Sequence, residues 1–112
     1  MADQGQPRTF TSYLKLMVMK REKMMSELRQ KWGVKFVRPV EEFDDDLGDG
    51  IWMSGENGET NADGWELFDY GNENYDQYEF GVHNSINEWA DENGWCFEWN
   101  DPGTIMMWPH FA

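Results

Sequence analysis

The sequence predicts an α+β domain: a mainly antiparallel sheet of about five short strands packed with two helices, in the order α-β-β-β-α-β-β. Three observations lead there. Apolar residues recur at helical spacing in two stretches, residues 11–33 and 73–93. Short β-rich runs bounded by turn signals lie between and after them. Aromatic residues make up 16% of the 112 residues and hydrophobic residues 39%, enough to offset chain entropy in one domain but not to build a second core. That domain spans 11–112 and follows a mobile arm, residues 1–10, in which Gly5 and Pro7 break regular structure.

The first helix is expected from a cap at Thr11 or Ser12 to about Trp32, stopped by Gly33. Leu14, Met17, Val18, Met24, Met25, Leu28 and Trp32 form its apolar face, interrupted by Arg21. Glu27 and Lys31 make a favourable i, i+4 pair, and the methionines read as core. Val34–Val40 is a strand with Pro39 at its end or edge. Residues 41–50 form an acidic loop, and Ile51-Trp52-Met53 a short strand. Turns follow at Asn57-Gly58 and Asp63-Gly64. Trp65–Tyr70 reads as a strand, with Trp65 and Leu67 on one face and Glu66 and Phe68 on the other.

The second helix is expected from about Glu73 to Asn93, with Tyr75, Tyr78, Val82, Ile86, Trp89 and Ala90 at a 3.6-residue period. Asn72 caps it, Glu73 and Asp76 suit its positive end, and Asn93-Gly94 stops it. Gly81 is a weak point in its middle. The chain closes with a hairpin, Trp95–Trp99 and Thr104–Trp108 around Asn100-Asp101-Pro102-Gly103.

Charge is distributed unevenly. Nine Lys and Arg stand against 22 Asp and Glu, a net −13 with a pI near 4.3. All nine cations fall between Arg8 and Arg38, alongside three acids (Asp3, Glu22, Glu27), so residues 1–40 carry +6. Residues 41–112 hold the other 19 acids and no Lys or Arg. An acidic surface made for solubility accounts for the sign but not for this partition. The field repels nucleic acid and anionic membranes, so neither is an expected partner of the chain as a whole. A basic patch of Lys15, Lys20, Arg21, Lys23, Arg29, Lys31, Lys35 and Arg38 would have to work against it.

The usual catalytic signatures are missing. The chain has no Gly-rich phosphate loop before a helix, no serine nucleophile elbow and no His-rich metal motif. Cys96 lies among aromatics on an expected strand and reads as an inert thiol, with His83 and His110 elsewhere. Glu59-x-Asn61-x-Asp63-Gly64 imitates a calcium loop, but Tyr70 stands where the twelfth-position glutamate belongs. No cofactor, no metal site and no enzymatic activity are expected. The lone cysteine fits a reducing compartment, the polar N-terminus lacks a signal peptide, and no run approaches the ~18 apolar residues of a membrane span. A cytoplasmic protein is expected, in the cytoplasm of the host cell if it is phage-encoded.

Carboxylates at strand and helix spacing, about 5–7 Å apart, can stand where backbone phosphates stand in a duplex. The expected contact residues are Asp44, Asp45, Asp46 and Asp49 in the loop, Glu66 and Asp69 on the strand, and Glu73, Asp76 and Glu79 entering the helix. Tyr70, Tyr75 and Tyr78 interleave with them as anchors, and Glu88, Asp91 and Glu92 form a second cluster. In size, acidity and aromatic content the chain resembles phage-encoded DNA mimics, such as anti-restriction and anti-CRISPR proteins. Immunity proteins that neutralise nuclease toxins share that style. The resemblance implies an acidic inhibitor, monomeric or a homodimer, that fills the nucleic-acid site of a basic partner: a nuclease, a restriction or CRISPR effector, or a polymerase. The alternative is a small assembly subunit, of a virion or another complex, that docks through opposite-charge faces.

Overall fold

A computed structural model of the chain describes residues 19–109. The arm, the expected helix cap at Thr11 or Ser12 and the apolar positions Leu14, Met17 and Val18 lie outside the described residues. The fold is α+β, with six short antiparallel strands in two sheets and two helices among the described residues.

The first described helix, α1, spans Arg21–Gln30. The expected helix is not continuous through Lys20, which is extended at φ −67° and ψ 151°. Met24, Met25 and Leu28 are buried, so the methionine face is core. Arg21 interrupts that face for a reason. Its guanidinium makes a two-pronged pair with Glu41, at 2.7 and 2.9 Å, and donates to the Gly50 carbonyl. This ties α1 to the acidic loop. Glu27 does not pair with Lys31 as expected. It accepts the Trp89 indole N–H at 2.9 Å and lies 4.0 Å from Lys23. The helix stops at Gly33, where the Val34 N–H reaches back to the Leu28 carbonyl.

Strand β1 is only Val37–Pro39, and β2 is Ile51–Ser54. Two 3-10 turns, Val40–Glu42 and Asp45–Leu47, shape the acidic loop between them. The closing hairpin forms as expected, with β5 at Trp95–Asp101 and β6 at Thr104–Pro109. The four strands order as β1-β2-β6-β5, which puts Pro39 on an edge strand. Their register aligns Val37, Met53, Ile105 and Trp99 in one row and Pro39, Ile51, Met107 and Phe97 in the next. These rows, both from one sheet face, supply much of a core completed by α1, Leu67, Phe68, Val82, Ile86, Trp89 and Ala90. On the opposite face, Phe36 and Phe43 set their rings edge-on to Trp52 at 4.8 and 5.1 Å.

Two expectations fail between residues 65 and 83. Trp65–Tyr70 is not a strand: it makes isolated bridges, Thr60 with Glu66 and Phe68 with Val82. Leu67 and Phe68 are both buried, which breaks the expected alternation. The long second helix is also corrected. Its C-terminal half is real, α2 at Asn84–Glu92, ending at Asn93 and Gly94. Its expected N-terminal half is instead a hairpin, β3 at Tyr78–Glu79 and β4 at Val82–His83. The cause is Phe80-Gly81. Both residues have positive φ, 50° and 73°, between paired residues Glu79 and Val82, which is a two-residue hairpin turn that no helix can contain. A Cβ on Gly81 would lie 2.8 Å from the Asp69 carbonyl oxygen, so glycine is required there twice over. The helix cap moves from Asn72 to His83 accordingly.

Candidate functional site

Beside β5, the 65–83 segment and α2 enclose an open groove of about 830 Å³. Its floor is Tyr78, which is buried and donates its hydroxyl to the Glu66 carbonyl at 2.7 Å. Burial pushes the Tyr78 phenol up, and Asp69 and Glu66 add to the effect. Tyr78 therefore holds the groove together and offers little surface to a partner, which corrects its expected role as an anchor. One wall is Trp99. Its indole N–H donates to the Phe80 carbonyl at 2.6 Å, its ring meets Tyr70 edge-on at 5.1 Å, and its other side lies close over Gly55. The rim is aromatic and open, with Tyr70 at 54% exposure, Tyr75 at 75% and Phe80 at 86%.

Phe80 is the unusual member. A bulky side chain in the left-handed region costs roughly 1–2 kcal/mol, and this turn type favours Asn-Gly instead. Its ring gains no core packing in return, since it is the most exposed of the large exposed hydrophobics. Sequence reading missed both Phe80 and Trp99 as site residues. The signal for Phe80 was present, a residue-glycine pair between the β-prone Tyr78 and Val82, but helical periodicity masked it.

The hairpin is set by His83, 6% exposed and stacked on Trp65 at 5.6 Å. His83 Nδ1 accepts the Ser85 N–H at 3.0 Å, capping α2. That assigns the proton to Nε2, which donates to Gln77 Oε1 at 3.1 Å. Burial holds the imidazole below its ordinary value, against the pull of Asp63 and Glu88 in the other direction. Asn61 braces the network by donating to Ser85 Oγ, while its own Oδ1 accepts the Asp63 and Trp65 N–H groups. The calcium-like run is thus a self-bonded turn, with Glu59 taken up by the Lys35 N–H. Cys96 is half-buried, and burial pushes its thiol up.

Of the expected contact residues, Tyr70, Glu73, Tyr75, Tyr78 and Glu79 line the groove. Asp69 and Asp76 are exposed next to them in sequence. Asp69 accepts from the Asn72 amide, and Glu79 from the Asn87 amide. Glu66 is exposed on the flank, with its carbonyl committed to Tyr78. Asp44, Asp45, Asp46 and Asp49 are exposed but belong elsewhere, in the connection from β1 to β2. β1 and β5 are opposite edges of the sheet, three strand spacings or about 14 Å apart. The expected contact residues thus divide between the two edges of the sheet. Glu88 and Asp91 extend the groove side with a smaller hollow that also includes Glu79 and Asn87.

The described ion pairs lie on α1 and at the β1 side of the sheet. Among the described residues, Lys or Arg lies within 4.0 Å of a carboxylate at Arg21–Glu41, Lys23–Glu27 and Arg38–Glu42. Glu41 and Arg21 reinforce each other, the shared hydrogen bonds holding the carboxyl below and the guanidinium above their ordinary values. Among the described residues, the groove lining contains Glu73 and Glu79 and no Lys or Arg.

Among the described residues, no group of three or more His, Cys, Asp or Glu is placed to hold a metal ion. No described helix is long and apolar enough to cross a membrane. No protein-family model matches the chain, and no curated protein or solved structure matches it significantly.

Proposed function

We propose that this protein is an acidic inhibitor that occupies the nucleic-acid site of a basic protein in the cytoplasm, such as a nuclease, a restriction or CRISPR effector, or a polymerase. The observation that carries the reading is the groove beside β5, where exposed aromatic rings stand among carboxylates and no described cation lines the surface. Aromatic anchors inside an acidic field give a partner both a fast, steered approach and a grip once docked. Arg21, Lys23 and Arg38 pair with Glu41, Glu27 and Glu42, and among the described residues no such pair involves the groove's Glu73 or Glu79.

The test is capture of a partner from the native cell lysate, eluted by a salt gradient, followed by competition with nucleic acid. The expected result is a nucleic-acid-binding protein that elutes with rising salt and is displaced by its own nucleic acid. A flat salt response, or a ternary complex with nucleic acid, would overturn the reading. Self-assembly into rings or shells would point to the assembly subunit instead.

A further inference from the structure

The groove has a more specific chemistry than negative charge. The open rings of Tyr70, Tyr75 and Phe80 present π-faces, and Glu73 and Glu79 stand among them. A flexible ammonium would satisfy the charge alone. A planar guanidinium satisfies both features, because it stacks on a ring face while its edge donates two parallel hydrogen bonds to a carboxylate. Apolar occupants fit poorly, since they would desolvate two carboxylates with no donor in exchange. Anionic occupants are repelled.

We propose that the groove beside β5 is a receptor for an arginine side chain of the protein partner, stacked against Phe80 and Tyr75 and paired with Glu73 or Glu79. This rests on the inhibitor reading for the identity of the partner. It does not rest on that reading for the chemistry of the ligand. The groove is already built in the free protein, with Trp99 fixed by Phe80, Tyr70 and Gly55, so binding needs no folding step.

The experiment titrates the whole protein with N-acetyl-arginine methylamide at low salt, following the Trp99 indole and Gly81 amide resonances by NMR. The lysine and citrulline analogues are run beside it, citrulline being the uncharged isostere. Saturable shifts confined to residues 70–81, 84 and 99 are expected. Arginine should bind about tenfold more tightly than citrulline and severalfold more tightly than lysine. Phe80→Asn keeps the turn and should weaken arginine about fivefold, and Glu73→Gln with Glu79→Gln should weaken it about tenfold. Equal binding of citrulline, or shifts confined to the 41–50 loop, would overturn the proposal. So would concentration-dependent self-association lost in Phe80→Asn, which would make a second copy the occupant. A captured, salt-sensitive partner whose affinity survives Phe80→Asn would also end this proposal, while leaving the inhibitor reading in place.

Discussion

The segments 41–50 and 66–81 are both acidic and both lack Lys and Arg, yet they behave differently. In the first, Arg21 grips Glu41 and Arg38 lies 3.8 Å from Glu42. Asp44 there accepts the Asp46 N–H, so part of the charge is spent on fixing the loop itself. The second segment has no cation along it, and amide donors and aromatic packing hold its shape: Asn72 on Asp69, Asn87 on Glu79, Trp99 on Phe80. Burial of Phe68 and Tyr78 pins the segment to the core while Tyr70, Tyr75 and Phe80 stay outside. The lesson is that net charge does not locate a binding surface. On the proposed reading, what locates it is charge with no described cation beside it, next to rings left unburied.

The contrast can be broken at Gly81. Gly81→Ala puts a Cβ against the Asp69 carbonyl at an unfavourable φ, and should cost about 3 kcal/mol and collapse the groove. Denaturant unfolding checks it, and a loss below ~0.5 kcal/mol would mean the turn is not built as described. Next in size, Glu73→Lys with Glu79→Lys should slow association with a captured partner about tenfold at low salt, and hardly at all at high salt. The same reversal at Asp44, Asp45 and Asp46 should slow it less. Equal slowing would make the two segments one surface.

Phe80→Asn should stabilise the protein by about 1 kcal/mol while weakening partner binding. A destabilised variant would mean that the Phe80 ring packs in the free protein. The smallest effect concerns pH. The His83 imidazole is held below its unfolded value near 6.5, so the unfolded chain binds the proton more readily. Stability should fall as pH drops from about 7 through 6.5, and stop falling once the folded state also takes up the proton. His83→Asn retains an acceptor for the Ser85 N–H and should flatten that slope. An unchanged slope would assign it to other groups.

Parts of the fold were legible because the signal was local. The alternation of Trp95–Trp99 and Thr104–Trp108 around Pro102-Gly103 specifies the hairpin without outside help. Asn93-Gly94 likewise marks the end of α2. The middle of the chain was misleading because two periods coincide there. Tyr75, Tyr78, Val82 and Ile86 fit a helix, yet Tyr78 and Val82 are also buried strand residues, one on each face of a hairpin closed by Phe80-Gly81. The groove was half legible. Tyr70, Glu73, Tyr75 and Glu79 stand out as acids and tyrosines close in sequence. Trp99 joins them through the sheet edge, a ring contact with Tyr70 and an indole hydrogen bond to a residue 19 positions away, which no local pattern encodes.

The claim beneath this account is that the aromatic groove, which no described cation lines, rather than the 41–50 loop, is where another protein takes hold. Hydrogen exchange of the protein with and without its captured partner measures this directly. Protection of the 70–81 backbone and of the segment around Trp99 is the predicted result. Protection confined to residues 41–50 or to α1, with the groove exchanging as in the free protein, would contradict it.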